Sequence, residues 1–332
     1  MIVKEVRFTG IDEVQVIEVE EELEPGPDEL LVAPLRVGIC GSDLHLLHGR
    51  HPFMKPPVVT GHEMVGEVLA AGPGHQDLVG HHVLVNPLVV PHRTVRSWRG
   101  TVNYQEDAKV MGFRLPGLAR TRCLVPAAQA HPIPAGLDPS TAVFAEPLAA
   151  GLHAVRRAGG RLDDVLIIGG GTIGLCVLLG ARALGARSIT LVEPIAAKRD
   201  VARRLGADRV LSPDDASVPG LSGFGASFDC VSAPKTLRAA IDATVGGGAV
   251  VAVGVPSELT WDIPLARMQR FEVDLLGSGM YTAEDVDDAI SRLSKGEIDV
   301  TPLLSRTFPL SAAEDAYRAA AHPETIKTLL EM

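Results

Sequence analysis

Residues 165–174 read Val-Leu-Ile-Ile-Gly-Gly-Gly-Thr-Ile-Gly, a short apolar strand that runs into a G-x-G-x-x-G turn and on into a helical pattern, Ile173–Leu184. No other stretch of the chain restricts the fold so tightly. An uninterrupted apolar strand is buried on both faces, which calls for parallel neighbours joined by helical crossovers. The strand Ser188–Val192 and the helix Ala196–Leu205 complete a β-α-β unit. Each glycine has a physical role in such a turn: Gly169 makes the sharp bend, Gly171 lets the backbone approach a pyrophosphate, and Gly174 allows tight contact between helix and strand. The N–H groups of Thr172 and Ile173, at the positive end of the helix dipole, are expected to face the phosphates.

Glu193 follows the second strand, 19 residues after Gly174. A carboxylate there accepts hydrogen bonds from ribose hydroxyls and repels a 2′-phosphate, so NAD is expected rather than NADP. Lys198 and Arg199 stand nearby; a cation tolerates a 2′-phosphate, and Lys198 is also placed to hold the ribose.

The parallel pattern continues with strands at Ser227–Val231, Ala249–Val255 and Val273–Ser278 and a helix at Pro234–Thr244. The first 85 residues differ, with β-rich runs at Val3–Phe8, Val14–Val19, Leu30–Ile39, Val65–Ala71 and His82–Val85, separated by Gly- and Pro-rich turns without intervening helices. That half is expected to be mostly antiparallel. After a helix at Glu146–Arg157 and the parallel unit, two amphipathic helices, Ala283–Ser294 and Ser311–Ala321, close the chain. The predicted fold is α/β: a β-rich domain over 1–147, a doubly wound parallel-sheet domain over 148–281, and a C-terminal return to the first over 282–332.

A net charge of −10 argues against nucleic acid as a partner. One basic stretch interrupts it: Arg93, Arg96, Arg99, Lys109, Arg114, Arg120 and Arg122 against Glu106 and Asp107, which reads as a solvated lobe or an anion-binding patch. The four cysteines, Cys40, Cys123, Cys176 and Cys230, show no paired spacing and fit a reducing compartment. The N-terminal residues have no apolar core of signal-peptide length, and the apolar run Val165–Ala181 carries five glycines and is too short to span a bilayer. A cytoplasmic protein without a membrane partner is expected.

Two further segments carry metal-binding side chains. Residues 38–45 read GICGSDLH and residues 61–66 GHEMVG, offering the Cys40 thiol, the His62 imidazole and the Glu63 carboxylate, a donor set suited to zinc. Their separation is not that of a zinc finger, so spacing alone leaves Cys40 as a small buried side chain and His62 as a core histidine. With FAEPLA (144–149), GGGTIG (169–174) and VAVGVP (251–256), the segments stand in the order of the zinc-dependent medium-chain dehydrogenases of the alcohol dehydrogenase superfamily, which the chain resembles over nearly its full length. Glu146-Pro147-Leu148, with no cysteine there, resembles the sorbitol, idonate and cyclitol dehydrogenase branch.

The resemblance implies a GroES-like catalytic domain beside a Rossmann domain. It implies one catalytic zinc held by Cys40 and His62, with Glu63 and Glu146 completing the sphere directly or by exchange with water. Asp43 would bond the other nitrogen of His62, Ser42 would touch the substrate oxygen, and His45 would end the proton path, while Val253 and Val255 would line the cofactor. The implied reaction is hydride transfer between NAD and a secondary hydroxyl of a polyhydroxylated small molecule: a polyol, aldonate, cyclitol or aminocyclitol. A homodimer or homotetramer is expected.

An amino alcohol such as threonine is the alternative substrate. A zinc-free reductase would lack Cys40, His62 and Glu146, and a non-catalytic nucleotide-binding protein would have no use for Ser42 and His45. The chain also departs from its relatives. Where many hold a structural zinc with four cysteines, it has Pro91, Thr94, Ser97 and Gln105, and His92 alone is no replacement; no second zinc is expected, with Val95, Trp98, Val102 and Tyr104 or a neighbouring subunit holding the lobe. Gly279-Met280-Tyr281 replaces an aromatic-Arg-aromatic run, and the segment Phe113–Arg122 is short.

Overall fold

The apolar run before the glycine turn lies in the middle of a six-stranded, all-parallel sheet. Its order is Arg209–Leu211, Ser188–Val192, Asp164–Ile168, Phe224–Asp229, Thr244–Ala252 and Asp274–Gly277. The third strand along the chain thus sits at one edge, and the order reverses beside the first, the arrangement of a doubly wound dinucleotide-binding sheet. Leu166, Ile168, Val192, Phe224, Ile241, Val250 and Val273 form a buried cluster against it.

The chain is described by a computed structural model over residues 1–51, 54–90, 103, 105, 107–215, 220–256 and 260–332. It forms two units, Met1–Glu146 with Thr282–Met332, and Pro147–Tyr281. The parallel sheet belongs to the second.

In the first unit a seven-stranded sheet runs Ala130–Pro132, His82–Val85, Glu63–Ala71, Glu29–Ile39, Lys327–Glu331 and Leu304–Pro309, with Cys123–Pro126 also paired to Glu29–Ile39. Its neighbours are antiparallel except the last two strands. Val32, Val37, Met64, Val83, Val85, Val125 and Leu330 belong to the buried core of this unit. Strand register decides which side chains meet at the sheet's end. Gly38 pairs with Glu63, and Ile39 pairs with Thr328. Three adjacent strands therefore bring Cys40, His62–Glu63 and Lys327 to one end of the sheet, although Lys327 lies 264 residues from Glu63.

Some elements differ from the sequence expectation. The strand expected at Ala249–Val255 spans Thr244–Ala252, taking up the end of the expected helix, which stops at Ala243. The last helix is Ala313–Ala320, after a 3-10 turn at Leu310–Ala312. Among the elements not expected from the sequence are the helices Gly41–Leu47 and Leu265–Phe271 and the strand Lys327–Glu331. Leu265–Phe271 buries no residue, so it has no amphipathic signal to read.

Within the basic stretch, Arg120 is not part of a solvated lobe. It is buried, with Nη2 2.6 Å from Glu21 and Nε 3.1 Å from Glu5. Arg93, Arg96, Arg99 and the lobe positions Pro91, His92, Thr94, Val95, Ser97, Trp98, Val102, Tyr104 and Glu106 lie outside the described residues. Among the described residues, no helix is long and apolar enough to cross a membrane.

Candidate metal centre and glycine loop

Cys40 follows the long strand Glu29–Ile39 and caps the helix Gly41–Leu47. The cap is reciprocal chemistry in the sequence C-G-S-D: the Cys40 N–H donates to Asp43 Oδ2 at 2.9 Å, satisfying a donor that the helix start leaves free. Ligand atoms of Cys40, His62 and Glu63 all lie within 4.8 Å of one another. Thiolate, imidazole and carboxylate at that spacing suit zinc. Glu146 is not in this group; it is buried in the first turn of the helix Ala145–Arg157.

The surroundings fit a cation. His62 Nδ1 is buried and stands 3.2 Å from the Asp43 carboxylate oxygen Oδ1. Asp43, Glu63 and Glu146 are buried carboxylates, and Lys327 Nζ bonds both oxygens of Glu63 at 2.7 Å and the Ile39 carbonyl at 3.2 Å. With Glu63 and Lys327 each only 1 % exposed, removing either partner would strand a charge in the interior. Gly38 is required beside them, because a Cβ there would stand 1.9 Å from Glu63 Oε2.

Burial alone would raise the Asp43 carboxyl, but His62, the Cys40 N–H and Lys327 hold it below the ordinary carboxylate value. Burial alone would likewise lower the His62 imidazole, and Asp43 and then Cys40 raise it well above its usual value. For Lys327, Glu63 and then Cys40 reverse the effect of burial and raise the ammonium.

Ser42 and His45 are i and i+3 on the helix Gly41–Leu47, and so neighbours on its surface, with His45 exposed. Burial of its inner part, then Arg50 and His48, lower the His45 imidazole below its ordinary value. The Phe113 ring is tilted against two imidazoles, with centroids 5.2 Å from His62 and 5.0 Å from His51.

In the other unit the glycines separate by role. Gly169 has φ +99°, a conformation that favours glycine, and a Cβ on Gly174 would stand 1.8 Å from the Gly169 carbonyl oxygen. Gly171, the N-cap of the helix Thr172–Ala183, has nothing within 4 Å of where a Cβ would be. Glu193 is buried, accepting from the Gly170 N–H at 2.6 Å and the Ile195 N–H at 2.8 Å. Lys198 is lowered by burial, with Glu193 opposing, while Arg199 donates to the carbonyls of Glu193 and Pro194. Val253 bonds through its N–H to the Asp229 carbonyl, and Val255 is exposed.

Lys327 and Thr60 bond metal-centre side chains and Tyr317 bonds Thr60, and the sequence singles out none of the three. The Thr60 hydroxyl stands 3.3 Å from Asp43 Oδ1 and 3.0 Å from the Tyr317 hydroxyl. No local motif announces them. The one available signal was a lysine in the apolar C-terminal run Ile326–Leu330.

Two family profiles match the chain: "Alcohol dehydrogenase GroES-like domain" over residues 26–135 and "Zinc-binding dehydrogenase" over residues 172–295. Sorbitol dehydrogenase of Ovis aries is 32 % identical over 93 % of this chain and 90 % of its own length. L-idonate 5-dehydrogenase of Vitis vinifera is 33 % identical over 89 % of this chain and 86 % of its own. Among solved structures, a zinc-binding dehydrogenase of Sinorhizobium meliloti 1021 bound to NADP superposes with a TM-score of 0.92, at 31 % identity and full coverage of both chains.

Proposed function

The chain belongs to the zinc-dependent medium-chain dehydrogenases, in the sorbitol and idonate dehydrogenase branch, and we propose that it oxidises a secondary hydroxyl of a polyol, aldonate, cyclitol or aminocyclitol with NAD. The observation that carries this reading is the convergence of Cys40, His62 and Glu63 in a chain that also holds a complete dinucleotide turn.

In this reading Cys40 and His62 would hold one zinc, and Glu63 or Glu146 would supply carboxylate oxygen. When bound, zinc withdraws charge from the substrate hydroxyl and lowers its pKa. Asp43 would keep the proton of His62 on Nδ1 and leave the other ring nitrogen to hold the ion. Lys327 anchors Glu63 and balances its charge. Ser42 takes the hydroxyl proton and His45, lowered and exposed, accepts it in its neutral form and releases it to solvent. Gly171, Thr172 and Ile173 present N–H groups to the pyrophosphate, Glu193 and Lys198 hold the adenine ribose, and Val253 and Val255 line the cofactor. A bound NAD would supply the hydride acceptor for the hydroxyl-bearing carbon, which would become a ketone. Glu193 favours NAD over NADP. We place the enzyme in the cytoplasm as a homodimer or homotetramer, with Val255, Leu265 and Phe271 among its exposed apolar side chains.

The test is NADH formation by the zinc-loaded protein on a panel of polyols, aldonates, cyclitols and aminocyclitols, with L-threonine included. Turnover of a polyhydroxylated substrate supports the proposal. Turnover of threonine alone would replace the substrate assignment, and no turnover of any would remove it.

A further inference from the structure

We infer that Thr60 and Tyr317 are positioning residues for the metal centre, acting through Asp43 on His62; the inference rests on the zinc reading of that centre. All four side chains are buried in the first unit. Tyr317 comes from the C-terminal helix Ala313–Ala320, and its ring meets Phe8 edge-on, with centroids 5.0 Å apart and planes at 82°. Its hydroxyl is 3.0 Å from Thr60 Oγ1, which is 3.3 Å from Asp43 Oδ1.

The direction of the hydrogen-bond row is settled by elimination. An ionised carboxylate only accepts, so the single Thr60 proton goes to Asp43. With that proton used, Thr60 can only accept from Tyr317, whose phenol burial and then Asp43 hold well above its ordinary value, so it keeps its proton to donate. Every proton in the row points toward Asp43.

Asp43 is therefore fixed at both oxygens: Oδ2 by the Cys40 N–H at 2.9 Å and Oδ1 by Thr60, on the oxygen that also faces His62 Nδ1 at 3.2 Å. A carboxylate so fixed sets both the tautomer and the ring plane of the histidine it faces. Side chains that orient a ligand in this way are typically worth ~10–100-fold in metal affinity. Without the Tyr317 proton, Thr60 loses the partner that turns its own hydrogen to Asp43. The C-terminal segment thus contributes two polar groups to the metal centre, the Lys327 ammonium to Glu63 and the Tyr317 hydroxyl toward Asp43.

Packing is the competing explanation, since a buried Tyr hydroxyl needs a partner whatever its function. Tyr317→Phe separates the two, because it keeps the ring on Phe8 and removes only the O–H. The experiment compares the zinc-loaded wild type with Tyr317→Phe, Thr60→Val and Thr60→Ser. Zinc release is measured against a chromogenic chelator, the d–d absorption after cobalt(II) substitution, and thermal unfolding of each protein stripped of metal. Tyr317→Phe and Thr60→Val are expected to hold zinc about tenfold more weakly, with displaced cobalt bands, while Thr60→Ser stays within about twofold of wild type. Zinc retention and cobalt bands like the wild type's in Tyr317→Phe, even with altered thermal stability, would overturn the inference. A wild type with no zinc that Cys40→Ser removes would overturn the zinc reading itself, and the inference with it.

Discussion

The two candidate sites are built in opposite ways. The glycine turn is made of consecutive residues, Gly169 to Gly174, and works through backbone geometry: a positive φ at Gly169, a close approach at Gly174 and an open face at Gly171. The metal centre draws Cys40 and Asp43, Thr60 to Glu63, Tyr317 and Lys327 from segments far apart in the chain, and it works through buried side-chain charge. A local site tolerates change around it and fails when one of its own glycines changes. A site assembled from distant strands is exposed to substitutions that no motif marks.

The largest expected effect strikes the assembled site at its remotest member. Lys327→Met leaves Glu63 a buried carboxylate without its cation, at a cost of about 3–5 kcal/mol. Denaturant unfolding measures this, and adding Glu63→Gln should recover a large part of the loss. A Lys327→Met protein as stable as wild type would mean that the pair is not a structural requirement.

Next is the proton path. His45→Gln should slow alcohol oxidation by about 100-fold or more. Because His45 is lowered by burial, Arg50 and His48, its basic form survives to lower pH than an ordinary histidine's. Wild-type oxidation should thus persist below the usual histidine range and fall only as His45 gains its proton. The pH–rate profile of His45→Gln should lack that falling limb, and an unchanged profile would assign the proton another exit.

Two glycine substitutions sharpen the contrast. Gly174→Ala forces a methyl against the Gly169 carbonyl and should cost about 1–3 kcal/mol of stability. Gly171→Ala meets open space, so its melting temperature should match wild type while NADH binding, monitored by fluorescence titration, falls. Retained NADH affinity in Gly171→Ala would show that the open face is not where the pyrophosphate lies. The smallest effect is at Glu193: Glu193→Ala should narrow the preference for NAD over NADP by about tenfold, or ~1.4 kcal/mol, in steady-state kinetics. Better use of NADP than NAD by the wild type would contradict the cofactor assignment.

The same contrast explains what could be read from the sequence. The parallel sheet was legible because Val165–Ile168 and Ser188–Val192 are uninterrupted apolar runs, with helical patterns between them. The close packing at Gly174 was legible because it is set by a position within one motif. Cys40 and His62 entered only through the family resemblance, since neither spacing nor composition joins residues on different strands. Lys327 was illegible for a physical reason: a lysine in a final run of five residues breaks the apolar pattern of a buried strand, and the carboxylate that makes it tolerable lies 264 residues away. Tyr317 reads as one more apolar residue on an amphipathic helix, and its hydroxyl partner Thr60 is 257 residues distant. The helix Gly41–Leu47 was overlooked although Cys40 and Asp43 form its capping pair, a local signal hidden among candidate ligands.

The central claim is one zinc per chain in the Cys40 centre, independent of the dinucleotide turn. Its most direct test is elemental analysis of wild type and Cys40→Ser, with an NADH titration of each. We expect close to one zinc per wild-type chain, none in Cys40→Ser, and NADH affinities within about twofold of each other, since Cys40→Ser leaves the centre short of one protein ligand while the glycine turn does not use the thiol. Zinc that persists undiminished in Cys40→Ser, or NADH binding lost together with the metal, would contradict it.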